Sequence, residues 1–299
     1  KTQPFWLKRF MRSLRRLCPS PIRGLGRGFD GQCMEITSTD AVGEDAQKSP
    51  EGGKAKRQRT SEGPHAALNA DNWEEVQLPQ QHLWAAVPHF FRCLSAPLLT
   101  FRRLGDPVLM REIHERFEAR SSDVNVVTYP KAGTSWIQEI AWLITHSVDL
   151  EAARAKPSGQ RTIYIELEVP GQDKLAQLAS AGAPRHVKWH HAAWLLPPAV
   201  LQNGKIIYLM RNPKDTVVSW YHFQRMNSLY AFQGGFNAFF ELFLQHNIPY
   251  GSYWDNVHSW WARRTQANVL FLTYEDLHRD LASQVRKVSE FLEARLSEA

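Results

Sequence analysis

A buried-strand pattern that runs through a short polar turn into a helix limits the fold of this chain more than any other feature. The β-branched run at residues 124–128 is followed by Tyr-Pro-Lys-Ala-Gly-Thr-Ser-Trp at 129–136, and an apolar helical pattern continues from there. Exposed N–H groups at such a helix start, with the positive end of the helix dipole, favour an anion. Lys131 adds a full charge, while Thr134 and Ser135 add hydroxyl donors. The segment therefore predicts a phosphate or sulfate site.

The turn differs from a Walker A loop. In that loop a lysine follows the second glycine and directly precedes the Ser or Thr that holds Mg²⁺. Here Lys131 comes before a single glycine, Gly133, so the loop is shorter and implies no metal. A P-loop kinase or NTPase is an alternative that this order of residues disfavours.

Tyr-Pro-Lys-x-Gly-Thr-x-Trp instead resembles the 5′-phosphosulfate loop of the cytosolic sulfotransferases, which use 3′-phosphoadenosine 5′-phosphosulfate (PAPS). The resemblance implies an α/β fold with a central parallel sheet flanked by helices, the P-loop-like sulfotransferase fold. It also implies that Lys131 neutralises the leaving phosphate and that Trp136 stacks on the adenine. The cofactor-binding residues implied in this segment are Lys131, Ala132, Gly133, Thr134, Ser135 and Trp136.

A second segment continues the resemblance. The apolar run at 205–210 leads into Arg-Asn-Pro-Lys-Asp and a helical pattern, so Arg211 follows a strand at the sheet edge where such folds bind ligands. The matching family element holds the 3′-phosphate, and the resemblance carries that role to Arg211 and Ser219. A guanidinium suits this role because its planar fork can make two parallel bonds to a phosphate. Phe223, which follows Ser219 by four residues, matches a family residue that faces the acceptor.

The segment Arg-His-Val-Lys-Trp-His at 185–190 resembles the family stretch that supplies the catalytic base. The resemblance implies that His190 takes the proton from the acceptor and that Lys188 and Ser219 steady the sulfuryl group. A histidine fits because its ordinary pKa leaves a neutral fraction at cellular pH. Trp189 stands where the family has a small hydroxyl residue, and His191-Ala192 stands where it has Leu-Pro. These departures could aim His190 differently, or His191 could compete with it as the base.

A fourth strand pattern at 269–274 ends at Tyr274, which resembles the family tyrosine beside the adenine. Phrases in this part of the chain are most similar to the neuronal 4A subfamily. The family's glycine-rich segment Arg-Lys-Gly-x-x-Gly-x-Trp-Lys has no match after Tyr274, so we expect a cofactor site open on one side. The dimerisation stretch is also unmatched, and the oligomeric state is left open. A catalytically weak or inactive nucleotide-binding scaffold is therefore an alternative to the enzyme.

Composition limits the remaining classes. The formal charge is +6, but residues 1–29 hold eight basic and no acidic residues, so the basic balance does not indicate nucleic-acid binding by the rest. Residues 1–80 are basic and then low in complexity, which predicts a disordered region before a sulfotransferase domain at 81–299. No apolar run approaches the ~18 residues needed to span a bilayer, and three scattered cysteines suggest no disulfide framework or zinc site. We expect a cytoplasmic protein acting on a small-molecule acceptor.

Overall fold

The computed structural model of the chain describes residues 73–78, 80–87, 89–93, 98–101, 104 and 107–294. The predictions for residues 1–72 lie outside the described residues. The strands of the described part are β1 Trp73–Val76, β2 Phe90–Cys93, β3 Leu99–Phe101, β4 Val124–Thr128, β5 Ile163–Tyr164, β6 His186–Trp189, β7 Lys205–Met210 and β8 Val269–Thr273. The helices are α1 Pro107–Arg116, α2 Thr134–Thr145, α3 Leu150–Ala155, α4 Ser158–Arg161, α5 Lys174–Ser180, α6 Pro198–Asn203, α7 Pro213–Met226, α8 Phe236–Leu244, α9 Tyr253–Trp261, α10 Tyr274–Arg279 and α11 Leu281–Phe291.

The central sheet has five parallel strands in the order β5-β6-β4-β7-β8. Thr128 at the end of β4 pairs with Leu209 of β7, and Met210 of β7 pairs with Thr273 of β8. The carboxyl ends of these three strands therefore meet at one edge, which is where a parallel α/β sheet binds its ligands. This arrangement confirms the predicted α/β fold with a central parallel sheet flanked by helices.

Both faces of the central sheet are covered, which is why its strands read as continuous apolar runs. On one face α2 and α11 pack over β4, with Ile137, Ile140 and Val285 fully buried. On the other face Ile113 of α1, Trp189 of β6 and Trp260 of α9 belong to one buried cluster. The core thus holds the strand ends in fixed positions at the site edge.

A second, antiparallel sheet precedes the central one and has the order β1-β2-β3. Trp73 of β1 pairs with Cys93 of β2, and Phe90 of β2 pairs with Phe101 of β3. β1 thus lies within residues 1–80, the part that composition assigns to the region before the domain. The polar character of residues 74 and 75 conceals the strand, since both are exposed although they point to opposite faces of the sheet.

Two features typical of other protein classes are absent from the described residues. No helix there has the length and apolar character required to cross a membrane. No group of three or more His, Cys, Asp and Glu side chains in the same part of the chain is arranged to hold a metal ion.

Candidate active site

The turn between β4 and α2 combines two left-handed backbone positions. Lys131 has φ +70° and Gly133 has φ +106°. Gly133 directly precedes α2, and its carbonyl accepts the N–H groups of Trp136 and Ile137. The first turn of α2 therefore starts at the carboxyl end of β4, where its N–H groups can serve an anion.

Gly133 is required at its position for lack of space as well as for its backbone angle. A Cβ atom added there would lie 2.7 Å from Tyr274 Cδ2 and 3.0 Å from Leu209 Cδ2. The turn thus packs directly against the ring of Tyr274 and the end of β7. A glycine allows this close approach of loop and ring because it has no side chain.

We expect Gly133→Ala to lower the free energy of unfolding by about 1–3 kcal/mol more than a matched glycine variant does, because overpacking adds to backbone strain. Gly171→Ala is the matched control, since Gly171 has φ +77° but nothing within 4 Å of an added Cβ. Urea denaturation of both variants measures the difference. Equal losses of stability would show that the contact with Tyr274 has no energetic weight.

Thr128, the last residue of β4, links the turn to His190. Its hydroxyl lies 2.6 Å from the hydroxyl of Thr134 and 3.3 Å from His190 Nδ1. Its carbonyl lies 2.8 Å from the same Nδ1 atom. The start of α2 and the imidazole of His190 therefore share one residue as their partner.

The contact with the Thr128 carbonyl determines the tautomer of His190. A carbonyl oxygen can only accept, so Nδ1 carries the proton and Nε2 is left as the acceptor atom. Burial lowers the pKa of His190 well below its ordinary value, and the charge of Lys188 lowers that pKa further. A neutral imidazole with an open Nε2 is the form that a general base requires.

Lys131 and Arg211 form the cationic part of the site. Arg211 Nη1 donates to the carbonyl of Lys131 at 3.3 Å, and the Lys131 Nζ lies 4.3 Å from the centroid of the Phe223 ring. Burial lowers the pKa of Lys131, and the neighbouring charge of Arg211 acts in the same direction. Two cations held this close without a carboxylate between them favour an anionic ligand.

Arg211 also contacts the aromatic side of the site. Its guanidinium lies 4.5 Å from the centroid of the Tyr274 ring, and Tyr274 meets Trp136 edge to face at 5.5 Å. The Arg211 Nε is buried without a hydrogen-bond partner among the described residues. A buried donor left unpaired is costly, so this atom indicates a place for an acceptor from a ligand.

Lys188 lies on β6, two residues before His190. Its Nζ lies 3.8 Å from the centroid of the Tyr164 ring. Burial lowers its pKa to about 8, with Lys174 and Lys131 acting in the same direction and Glu166 opposing them. Lys188 therefore holds its proton near neutral pH and loses it only in mildly alkaline solution.

The remaining predicted residues lie around this group. Ser219 and Phe223 are one helical turn apart on α7, so both are on one face of that helix. Ala132 is buried in the turn, whereas Ser135 is exposed. The predicted residues that direct contacts bring together are Lys131, Gly133, Thr134, Trp136, His190, Arg211, Phe223 and Tyr274.

Trp189 and His191, the two departures from the family motif, are both buried. Trp189 is fully buried, its Nε1 donates to Asn125 at 2.9 Å, and its ring packs against Phe117. Its neighbours therefore differ from those of the His190 ring, which contacts Thr128, Tyr164 and Tyr250. The His191 ring is buried, and its Nδ1 lies 2.6 Å from a Glu166 oxygen.

Glu166 is the residue of this region that the sequence analysis missed. It is 0% exposed, and its carboxylate accepts the backbone N–H groups of both His190 and His191. No local sequence pattern marks Glu166, since it follows a strand of only two residues and lies outside the segments that resemble the sulfotransferase motifs. A buried carboxylate next to two histidines is visible only once the chain is folded.

The sheet also has a pocket at its opposite edge. It has a volume of about 600 Å³ and includes Trp194, Arg263 and Asn268 in its lining. Asn268 directly precedes β8, so this pocket lies at the amino ends of the strands. It is separate from the group around Lys131 and His190.

Comparison with known proteins gives a consistent result. A family model described as "Sulfotransferase domain" matches residues 121–299. Human sulfotransferase 1C2 is 39% identical over 186 residues, which cover 62% of this chain and 63% of the relative. Human sulfotransferase 4A1 is 40% identical over 185 residues, covering 61% and 63%. The chain thus spans slightly less than two thirds of the length of these relatives.

A solved structure agrees with these sequence matches. Retinol dehydratase in complex with androsterone and the inactive cofactor PAP superposes with a TM-score of 0.66 and 27% sequence identity, covering 76% of each chain. The family-model match begins just before β4 and includes the turn at 129–136, Arg211 and Tyr274.

Proposed function

Because the chain belongs to the sulfotransferase family, we propose that it transfers the sulfuryl group of PAPS to a hydroxyl or amine of a small-molecule acceptor. The observation that carries the proposal is the joining of a cationic turn to a neutral imidazole through Thr128. Such a site supplies an anion-binding half and a proton-accepting half, which are the two requirements of this transfer. The complex of retinol dehydratase with androsterone and PAP supports the proposal, since that structural relative holds a nucleotide and a small molecule together.

The residues present fit the nucleotide. The unpaired Arg211 Nε offers a donor, and the turn at Gly133 places the first N–H groups of α2 at the carboxyl end of β4. Lys131, Gly133, Thr134 and Ser135 would hold the 5′-phosphosulfate end, with Ala132 filling the turn. Arg211 and Ser219 would hold the 3′-phosphate, and Trp136 and Tyr274 would border the adenine. When bound, PAPS would supply a sulfuryl group attached to a good leaving phosphate.

The protein would act mainly by positioning and by stabilising charge, as in phosphoryl transfer. His190 would take the proton of the substrate hydroxyl or amine at Nε2, while its Nδ1–H donates a hydrogen bond to the Thr128 carbonyl. Lys131 would neutralise negative charge developing on the leaving side, and Lys188 and Ser219 would steady the transferred group. Phe223, which lies beneath the Lys131 ammonium, would border the acceptor.

The similarity to cytosolic sulfotransferases, which first appears in the turn at 129–136, also supports a cytoplasmic location and a small-molecule rather than a nucleic-acid partner. No acceptor class is distinguished by these residues. Calorimetry with PAP and a transfer assay with PAPS and a simple phenol test the function together. Binding with transfer supports the enzyme, whereas binding without transfer supports the non-catalytic scaffold. Failure to bind PAP would contradict both.

The Arg211 assignment gives a selective prediction. We expect Arg211→Ala to weaken PAP by about 1.5–3 kcal/mol, the worth of one charge-assisted contact, and to weaken 5′-AMP much less, because only PAP carries the 3′-phosphate. Titration calorimetry with both nucleotides measures this difference. Arg279→Ala, on the exposed end of α10, is the control for loss of a surface cation. An equal loss of affinity for both nucleotides would contradict the assignment.

A further inference from the structure

The backbone at His190 and His191 is held from both sides by buried side chains. Glu166 accepts the N–H of His190 with both oxygens, at 2.9 and 2.8 Å, and the N–H of His191 at 2.9 Å. From α9, Asn256 donates to the His190 carbonyl at 2.9 Å and Trp260 donates to the His191 carbonyl at 3.2 Å. Four consecutive backbone groups thus have fixed partners.

This restraint acts at the place where the strand has already ended. β6 stops at Trp189, so no ladder hydrogen bond to a neighbouring strand directs the residues that follow. An imidazole at such a position would otherwise be free to turn with its backbone. Glu166 restrains this segment instead, because both N–H groups donate to its carboxylate.

The surroundings of the imidazole are aromatic and close. The rings of Tyr164 and Tyr250 each meet the His190 ring at 5.3 Å, and the two tyrosine hydroxyls are hydrogen-bonded to one another. Tyr164 belongs to β5, two residues before Glu166. The same short segment therefore shapes both the backbone position and the ring environment of the base.

Resting on the proposed transfer function, we propose that Glu166 is a positioning residue of the active site. It fixes the peptide at His190 and His191 so that the imidazole keeps its Nδ1–H on the Thr128 carbonyl and directs Nε2 towards the acceptor. Glu166 itself touches neither nucleotide nor acceptor, since it is fully buried behind the two histidines. Its effect is exerted through His190.

Glu166 also influences Lys188 by its charge. The groups that face Lys188 are Glu166, Lys174, Lys131 and His190, together with the Tyr164 ring. Glu166 raises the pKa of Lys188, while burial and the two lysines lower it to about 8. Without the negative charge, Lys188 would lose its proton at lower pH. The alkaline side of the rate profile should then move towards lower pH.

Two variants of the full chain separate positioning from charge. Glu166→Gln removes the charge and one of the two acceptor oxygens. Glu166→Asp keeps the charge but is one methylene shorter, so it cannot reach both N–H groups. We expect each to lower kcat by up to about 100-fold, the cost of a small misplacement of a reacting group, with PAP affinity unchanged. Only Glu166→Gln should move the alkaline limb. Glu139→Gln, a buried carboxylate paired with Arg161, is the matched control and should change neither.

The tautomer of His190 provides a readout that does not need turnover. In ¹⁵N spectra of histidine-labelled protein, assigned with His190→Gln, we expect one Nδ1–H tautomer for the original chain and for Glu139→Gln. A mixture is expected for Glu166→Gln. If the Glu166 variants do not fold, Asn256→Ala tests the same restraint from α9, because it removes the donor to the His190 carbonyl.

Folded Glu166 variants with unchanged kcat, pH profile and tautomer would overturn the proposal. A chain that binds PAP but transfers nothing would contradict the catalytic function alone. The tautomer measurement would then still decide whether Glu166 positions His190.

Discussion

Loss of nearly all transfer with retention of PAP binding is the expected result for His190→Ala. A general base contributes about 10²–10⁴-fold to a rate, and the nucleotide contacts assigned to Lys131 and Arg211 do not involve the imidazole. Transfer rates and PAP calorimetry on the same preparation measure the two effects. His186→Gln is the control, since His186 is a buried histidine of β6, the strand that precedes His190, and its ring contacts Thr145. Full activity in His190→Ala would remove His190 from the mechanism.

In the original chain, the transfer rate should also persist to an unusually low pH. Because the pKa of His190 lies well below its ordinary value of about 6.5, the neutral base persists as the pH falls. The rate should therefore decline only below that ordinary value. An acidic limb near pH 6.5 or higher would indicate a different titrating group.

Trp189→Thr should lower the free energy of unfolding by about 3–5 kcal/mol, which is the usual cost of truncating a large buried aromatic residue. Trp189 is 0% exposed, packs against Phe117 and donates to Asn125, so the variant leaves both a cavity and a buried amide without its donor. Chemical denaturation measures the loss. Trp254→Thr, with Trp254 42% exposed on α9, serves as the control and should change stability little.

This result would also correct an expectation from the sequence. A threonine matches the small hydroxyl residue of the family motif, which suggested that Trp189 misdirects the neighbouring base. The structure places Trp189 in the core, so we expect its removal to destabilise the chain rather than to improve the aim of His190. An increased transfer rate with unchanged stability in Trp189→Thr would contradict this assignment.

The clustering of Lys131, Arg211 and Tyr274, which we propose to bind the nucleotide, could be predicted because these residues follow strands of one parallel sheet. Lys131 follows β4, Arg211 follows β7 and Tyr274 follows β8, and the carboxyl ends of such strands share an edge. The position of each motif at a strand end thus predicts that the three motifs lie close together in space. The contacts of Arg211 with the Lys131 carbonyl and the Tyr274 ring agree with that expectation.

The supports of the base could not be predicted in the same way. Glu166 lies in a turn after the two-residue strand β5, and Asn256 lies on an amphipathic helix, so neither has a local pattern that marks it. Their importance comes from contacts between residues 66 positions apart or 24 positions apart in the chain. The antiparallel sheet was missed for a related reason, because strands as short as β3 show no readable alternation.

Thr128 has a consequence for how substitutions in this chain combine. One residue presents its hydroxyl to Thr134 in the turn and its carbonyl to His190. Substitutions at the turn and at His190 should therefore not combine additively, since both act on a shared partner. A change that moves the backbone of Thr128 to suit one of these contacts would also move the other.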